Sequence, residues 1–430
     1  MKVAVMAYGT RGDVQPLVCL ARVLADRGHE VELVADRGTA DVARAARLSY
    51  RELPFNMQSM FRSERAKRML ARGRINSAIR WLGAEERRYE AALCQGLLEA
   101  GTESVDLIVC NHLLDPRCRA IAEARRIAIM PVHLSPLVPS RTFPSTFLAQ
   151  RSLGPLNRVS HQLPFQMLWR TQRDGLAALR RELGLAPPTR SVWPYGIGGR
   201  YPAMLGYSPT LFPAPDDWPD WLHTVGFLRP WPELRASFGE VGVPTELDEW
   251  LAAGPPPVFL GFGSMPVLDK EATLGTIRNA LRTVGIRGVL AMGWSELIAA
   301  TDDSLYVVSE VDHESLLPRC AAAVHHGGAG TTAASLGAGL PTLICSVFHD
   351  QPFWGARCRK LGIGDTFPFT RLDTRRLVEG LRNVLRPEVA ARAKEIARRM
   401  AEEDGVAAAV ARIEEGNVEV PEQRRSGSLE

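Results

Sequence analysis

Val324-His325-His326-Gly327-Gly328-Ala329-Gly330-Thr331-Thr332 is the stretch on which the fold of this chain turns. The apolar run Cys320–Val324 reads as a buried strand, and the alanine-rich run after the glycines reads as a helix beginning at Thr331. Strand, glycine loop and helix leave several backbone N–H groups without partners, aimed at one point, with the positive end of the helix dipole behind them. That is an anion site, and a phosphate is its commonest occupant. The plainer alternative is a tight turn whose glycines serve close packing. Two histidines at the mouth, and Phe348-His349-Asp350-Gln351-Pro352 one strand later, favour a functional site.

Around that stretch the pattern is α/β. Val258–Phe262 reads as a strand, Gly263-Ser264 as a turn able to approach a diphosphate, and Lys270–Val284 as a helix. Gly288–Met292, Leu305–Val308 and Pro341–Cys345 read as further strands. His326 offers a ring N–H to a phosphate, or a charge when protonated. Gly328, Ala329 and Gly330 carry the backbone of the turn, and Thr331 adds a hydroxyl at the helix start. Asp350 and Gln351, an acceptor pair and a mixed donor and acceptor, suit neighbouring sugar hydroxyls. Trp294 either stacks on a nucleotide base or fills a core. No Gly-Lys-Ser/Thr follows the glycines, so this is not the phosphate loop of the common NTPases.

The first half repeats the pattern. Lys2–Ala7 reads as a strand ending in Tyr8-Gly9-Thr10-Arg11-Gly12-Asp13, followed by a helix over Val14–Arg27 and a strand over Glu30–Ala35. Such a βαβ unit implies a parallel sheet. Gly9 and Gly12 imitate part of a dinucleotide fingerprint, but the spacing is wrong and a third glycine is missing. Asp13 would also repel a pyrophosphate there. It either favours the helix start electrostatically or serves as a general base towards an acceptor hydroxyl. Val105–Cys110 and Ile127–Val132 read as strands, which places His112 and Asp115 at the same sheet edge, as orienting groups or as structural ones. Phe143, Phe147, Phe165, Trp169, Trp193 and Tyr195 lie in a proline-rich segment that reads as loops and helices walling an apolar cavity, with plain core the more usual role for such aromatics. Prolines and glycines from Pro230 to Pro257 mark the boundary. The expected organisation is therefore an N-terminal domain over 1–230, a linker over 231–257, a C-terminal domain over 258–415 and a frayed tail over 416–430.

Composition sets outer bounds. Over 430 residues, 52 basic side chains against 48 acidic ones leave a net charge of +4, too balanced to argue for nucleic acid. Seven cysteines show no Cys-x-x-Cys spacing and read as reduced core thiols of a cytoplasmic protein. Neither a signal-peptide core nor a membrane-spanning run is expected. Arg62 to Arg80 is strongly basic and reads as solvated helices beside an acceptor pocket, or as a surface approaching an anionic membrane.

Together these motifs resemble the GT-B glycosyltransferases of family 1, most of all the bacterial antibiotic-aglycone glycosyltransferases and the sterol glucosyltransferases. Gly9–Pro16 is similar to the family's N-terminal turn. Val324–Thr332, Gly339-x-Pro341 and Asp350–Arg357 are similar to its nucleotide-sugar signature. The resemblance implies two Rossmann-like domains facing a cleft, and a final helix within Val389–Gly416 that crosses back to the N-terminal domain. His326 and the Gly327–Thr331 turn, with Ser264, would bind a donor diphosphate, and Asp350 and Gln351 the sugar. Asp13, where many relatives carry histidine, would be the catalytic base. Trp294 and Val311 are the candidates beside the nucleotide base. The expected substrates are a UDP- or TDP-sugar and a small hydrophobic acceptor, with inversion and without a metal, since no Asp-x-Asp occurs. The competing expectations are a sterol or lipid glucosyltransferase at a membrane surface, a silent nucleotide-sugar-binding protein, and an epimerase on the same fold.

Overall fold

The computed structural model describes residues 1–421 apart from 55, 72–74, 149–150, 189–201, 263–268, 294–300, 310, 417 and 419. The first sheet contains β1 (Lys2–Ala7), β2 (Glu30–Asp36), β3 (Ser49–Leu53), β4 (Leu107–Asn111), β5 (Ala128–His133), β6 (Ala203–Leu205) and β7 (Leu222–Thr224). Its order is β3-β2-β1-β4-β5-β6-β7, and every recorded pairing is parallel. The second contains β8 (Val258–Gly261), β9 (Gly288–Ala291), β10 (Leu305–Val308), β11 (Ala322–His325), β12 (Thr342–Ser346) and β13 (Gly364–Pro368). Its order is β10-β9-β8-β11-β12-β13, again parallel. Helices cover both faces of a parallel sheet, so its strands read as near-continuous apolar runs. Val5 is an example, paired with Leu33 on one side and Val109 on the other, all three fully buried. β3 and β13 are strands that hydrophobic pattern does not announce, since each lies at a sheet edge and carries polar residues.

Each sheet reverses its strand order once, and ligands of open α/β sheets lie in the crevice where that happens. In the first sheet the reversal falls between β1 and β4, whose C-terminal ends run into Tyr8-Gly9-Thr10 and His112. In the second it falls between β8 and β11, whose ends run into Phe262 and His326.

The segment 231–257 is shared between the domains. Leu234, in the helix Pro232–Ser237, packs in the first core, whereas Leu247 and Leu251, in the helix Thr245–Ala252, pack in the second. An apolar cluster joins the domains, with Tyr207, Phe212 and Trp218 against Phe353, Trp354 and Met400. The last helix, Gly405–Glu414, packs on the first helix, Arg11–Asp26, through Val406, Ala409, Val410 and Ile413. Gly405 makes that crossing possible: a Cβ there would lie 2.5 Å from the Phe227 carbonyl oxygen.

Candidate functional site

The two histidines that end β11 have different environments. His325 is fully buried within the strand. Its Nδ1 accepts the Gly327 N–H at 2.9 Å, so Nε2 carries the proton and reaches Ser335 Oγ at 3.1 Å. Burial keeps this ring neutral, far below the usual histidine pKa. His325 is therefore a pin that ties the glycine loop to the helix behind it, a role the sequence pattern does not reveal. Gly327 takes φ +90°, and a Cβ there would meet Ile344 Cγ2 at 2.6 Å.

His326 leaves the strand and faces the loop. A Cβ on Gly328 would fall 2.5 Å from His326 Nε2, so the glycine is what lets the ring lie over the helix start. The helix Ala329–Gly337 begins two residues earlier than the pattern suggests, with Gly328 as N-cap and no side chain capping it. Its first N–H groups, from Ala329, Gly330 and Thr331, therefore have no intrahelical partner. Burial lowers the His326 pKa to about 4, so the ring stands neutral as an N–H donor. Its Nδ1 is buried without a partner among the described residues. An uncapped helix start beside a neutral donor is a built receptor for an anion.

After β12 the chain turns sharply at His349, which sits in the left-handed region at φ +61°. The next helix, Gln351–Leu361, is preceded by Asp350 as N-cap. Asp350 Oδ1 lies 3.0 Å from His349 Nδ1, and its Oδ2 accepts the Trp354 indole N–H at 2.8 Å. Burial opposes ionisation of Asp350, but these partners outweigh it and hold its pKa below the carboxylate norm. Burial likewise opposes charge on His349, yet the Asp350 hydrogen bond and the charges of Asp350 and Asp13 raise its pKa above the ordinary value. Gln351 Oε1 accepts the N–H groups of Val347 at 2.8 Å and Phe348 at 3.3 Å, which leaves the amide NH2 as the end able to meet a ligand.

On the other sheet, Asp13 lies in the first turn of the helix Arg11–Asp26. Its Oδ2 accepts from Thr10 N at 2.7 Å and Thr10 Oγ1 at 2.8 Å. Gly9, at φ +141°, lies under this carboxylate, and a Cβ there would be 2.6 Å from Oδ2. Asp13 thus caps the helix with one oxygen. Burial raises its pKa against the pull of the Thr10 bonds, and the His349 charge lowers it while Asp350 raises it. The capping and general-base alternatives for Asp13 are therefore compatible in one side chain. Asp36, at the end of β2, accepts the Gly9 N–H at 3.0 Å and Asn111 Nδ2 donates to the Tyr8 carbonyl at 2.8 Å, which together fix the loop.

The two edges meet. The His349 ring lies 5.7 Å from that of His112 and 4.8 Å from that of Phe147, both of the N-terminal domain. His112 is buried and its pKa falls to about 3, which makes it a neutral wall of the cleft. Asp115 stands apart, fully buried, 2.7 Å from Arg119 and 3.9 Å from His133. Val311 packs beside the second core, ahead of the helix cap Asp312. Ser264, Trp294, Trp193 and Tyr195 lie outside the described residues, as do Arg72 and Arg74 of the basic segment. Of the rest of that segment, Arg65, Met69 and Arg80 line a cleft of about 370 Å³ together with Trp81. Among the described residues no group of three His, Cys, Asp or Glu side chains is placed to hold a metal ion. His349 is the residue to which pattern reading gives no role of its own: it adjoins Asp350 in sequence, but only the structure shows its ring meeting His112 and Phe147 of the N-terminal domain.

Residues 289–415 match the C-terminal domain of erythromycin biosynthesis protein CIII-like proteins, and residues 3–114 match the N-terminal domain of glycosyltransferase family 28. The chain is 33% identical over 425 residues to a sterol 3-beta-glucosyltransferase of Arabidopsis thaliana, covering 95% of this chain and 64% of that relative. It is 33% identical over 431 residues to the O-mycaminosyltylonolide 6-deoxyallosyltransferase of Streptomyces fradiae, covering 96% and 97%. The crystal structure of the glycosyltransferase of kitacinnamycin superposes with a TM-score of 0.71 at 17% identity, over 97% of this chain and 99% of that one.

Proposed function

We propose, from the premise that this chain belongs to the family 1 glycosyltransferases of GT-B fold, that it moves a sugar from a nucleoside-diphosphate sugar to a hydroxyl of a hydrophobic small molecule, inverting the anomeric centre. The observation that carries this reading is the approach of His349, hydrogen-bonded to Asp350, to His112 and Phe147 of the N-terminal domain, near enough to Asp13 for the charges to interact. On this reading the anomeric carbon and the attacking oxygen lie between Asp13, as base, and Asp350, as sugar-binding carboxylate.

In the reaction the acceptor hydroxyl gives its proton to the Asp13 carboxylate. Its oxygen bonds to the anomeric carbon as the bond from that carbon to the diphosphate oxygen breaks, and nucleoside diphosphate departs. A raised pKa brings Asp13 closer to neutrality, where a general base works best. Charge builds on the departing diphosphate, and donors aimed at it stabilise the transition state more than the ground state. The N–H groups of Ala329, Gly330 and Thr331 and the His326 ring take that role without a metal. Asp350 and the Gln351 amide hold sugar hydroxyls. The names of the relatives favour a sterol or a macrolide-like aglycone as acceptor.

A thermal-shift screen of UDP- and TDP-sugars, followed by product analysis with sterol and macrolide aglycones, tests the reading. A donor-dependent rise in melting temperature and a glycoside product are expected, since a ligand bound only to the folded state raises apparent stability. Conversion of donor alone to an epimer would replace it.

A further inference from the structure

Seven of the eleven large apolar side chains exposed among the described residues lie between Phe147 and Met167. Four of them, Leu156, Val159, Leu163 and Met167, recur three and four residues apart through the helical segments Gly154–Leu156, Asn157–Ser160 and Gln162–Glu182. That spacing puts them on one face. Leu156, Val159 and Leu163 are 62%, 61% and 61% exposed. The same long helix already places Leu176 and Leu179 in the first domain's core. A second apolar face, held in water, is therefore not needed for folding.

Charge identifies what that face meets. From Arg141 to Arg173 the chain carries five arginines and no aspartate or glutamate. Arg151, Arg158 and Arg170 are exposed and form no ion pair with a described residue. A second copy of this chain, docked through the same face about a two-fold axis, would set arginines against arginines. Protein interfaces also centre on protruding Trp, Tyr and Arg anchors in pockets. Here the projecting groups are aliphatic, spaced along helical segments with exposed arginines beside them, which is the pattern of a helix lying in a lipid interface. The patch also reaches the cleft, because Phe147 at its edge touches His349.

We propose that the Leu156–Arg170 face docks on an anionic lipid bilayer, so that a hydrophobic acceptor passes from the bilayer along Phe147 into the cleft. The passage of acceptor rests on the glycosyltransferase reading above, and the docking does not.

Flotation with vesicles of phosphatidylcholine plus phosphatidylglycerol, against phosphatidylcholine alone, tests it. The full chain floats with the anionic vesicles and much less with the neutral ones. Leu156→Glu with Leu163→Glu, and separately Arg158→Glu with Arg170→Glu, each lower binding about tenfold or more. Both double variants keep full transfer to a water-soluble acceptor. Equal flotation of the variants, or no flotation of a chain that transfers sugar normally, overturns the docking. So does a change confined to self-association or to capture of an acidic protein. A chain that floats as described yet transfers no sugar would leave the docking standing and remove the glycosyltransferase reading instead.

Discussion

His349 Nδ1 lies 3.0 Å from Asp350 Oδ1, a contact between sequence neighbours that exists because His349 takes a left-handed backbone, φ +61°. Histidine, asparagine and aspartate tolerate that region better than most residues, though at some cost. The bond makes Asp350 half of an ion pair, and the other half, His349, is linked electrostatically to Asp13. On the proposed roles, this couples the donor side of the cleft to the base on the acceptor side.

That coupling has a sign. The His349 charge lowers the pKa of Asp13, so removing it raises that pKa further. Asparagine suits the same backbone and can still donate to Asp350, so His349→Asn should fold normally. Its kcat/KM profile should keep its shape but move its acid limb to higher pH, because Asp13 must be ionised to act. An unmoved acid limb would show that the two groups do not communicate.

Asp13→Asn retains an oxygen able to accept from Thr10, so the helix cap and the melting temperature should change little. Transfer should fall by about 10²–10⁴, the range a positioned general base supplies. Donor binding, followed by calorimetry or by thermal shift, should stay near normal. Strong residual transfer would move the base to another group or to water.

In its proposed role as a donor to the leaving group, His326 should matter to turnover: His326→Ala should lower it at least about tenfold, with ~2.7–4 kcal/mol as the upper range. Gly328→Ala should resemble it without touching the imidazole, since a Cβ there would overlap Nε2 at 2.5 Å. The double variant should be little worse than either alone, as expected when two changes disturb one interaction. Additive losses, measured as kcat/KM, would separate the glycine from the histidine.

Much of this site is legible in sequence, and the rest is hidden for physical reasons. The glycine loop, Asp13 and Asp350-Gln351 declare themselves because backbone freedom and chemistry demand particular residue types at fixed places. His325 and His326 look alike as letters. The one buried at the strand's end pins Gly327 and Ser335, while the other faces the helix start. His349 is silent because its part depends on the sign of φ. β3 escapes pattern reading because Ser49-Tyr50-Arg51-Glu52-Leu53 is an edge strand in which every side chain but Leu53 is exposed or half-exposed.

The closing helix should matter for stability more than for chemistry. A Cβ at position 405 would press on the backbone of Gly226 and Phe227. Gly405→Val should therefore cost about 1–3 kcal/mol, as overpacking typically does, and loosen the last helix from Arg11–Asp26. Thermal denaturation and protease sensitivity after residue 400 report it. An unchanged melting temperature would mean that the helix shifts without loss.

The anomeric configuration of the product is the most direct measurement. With an α-linked nucleotide sugar and a sterol or macrolide acceptor, the anomeric proton coupling of the isolated glycoside should report a β linkage, and Asp13→Asn should yield almost none of it. A product of retained α configuration, or one formed equally well by Asp13→Asn, would contradict direct displacement with Asp13 as base.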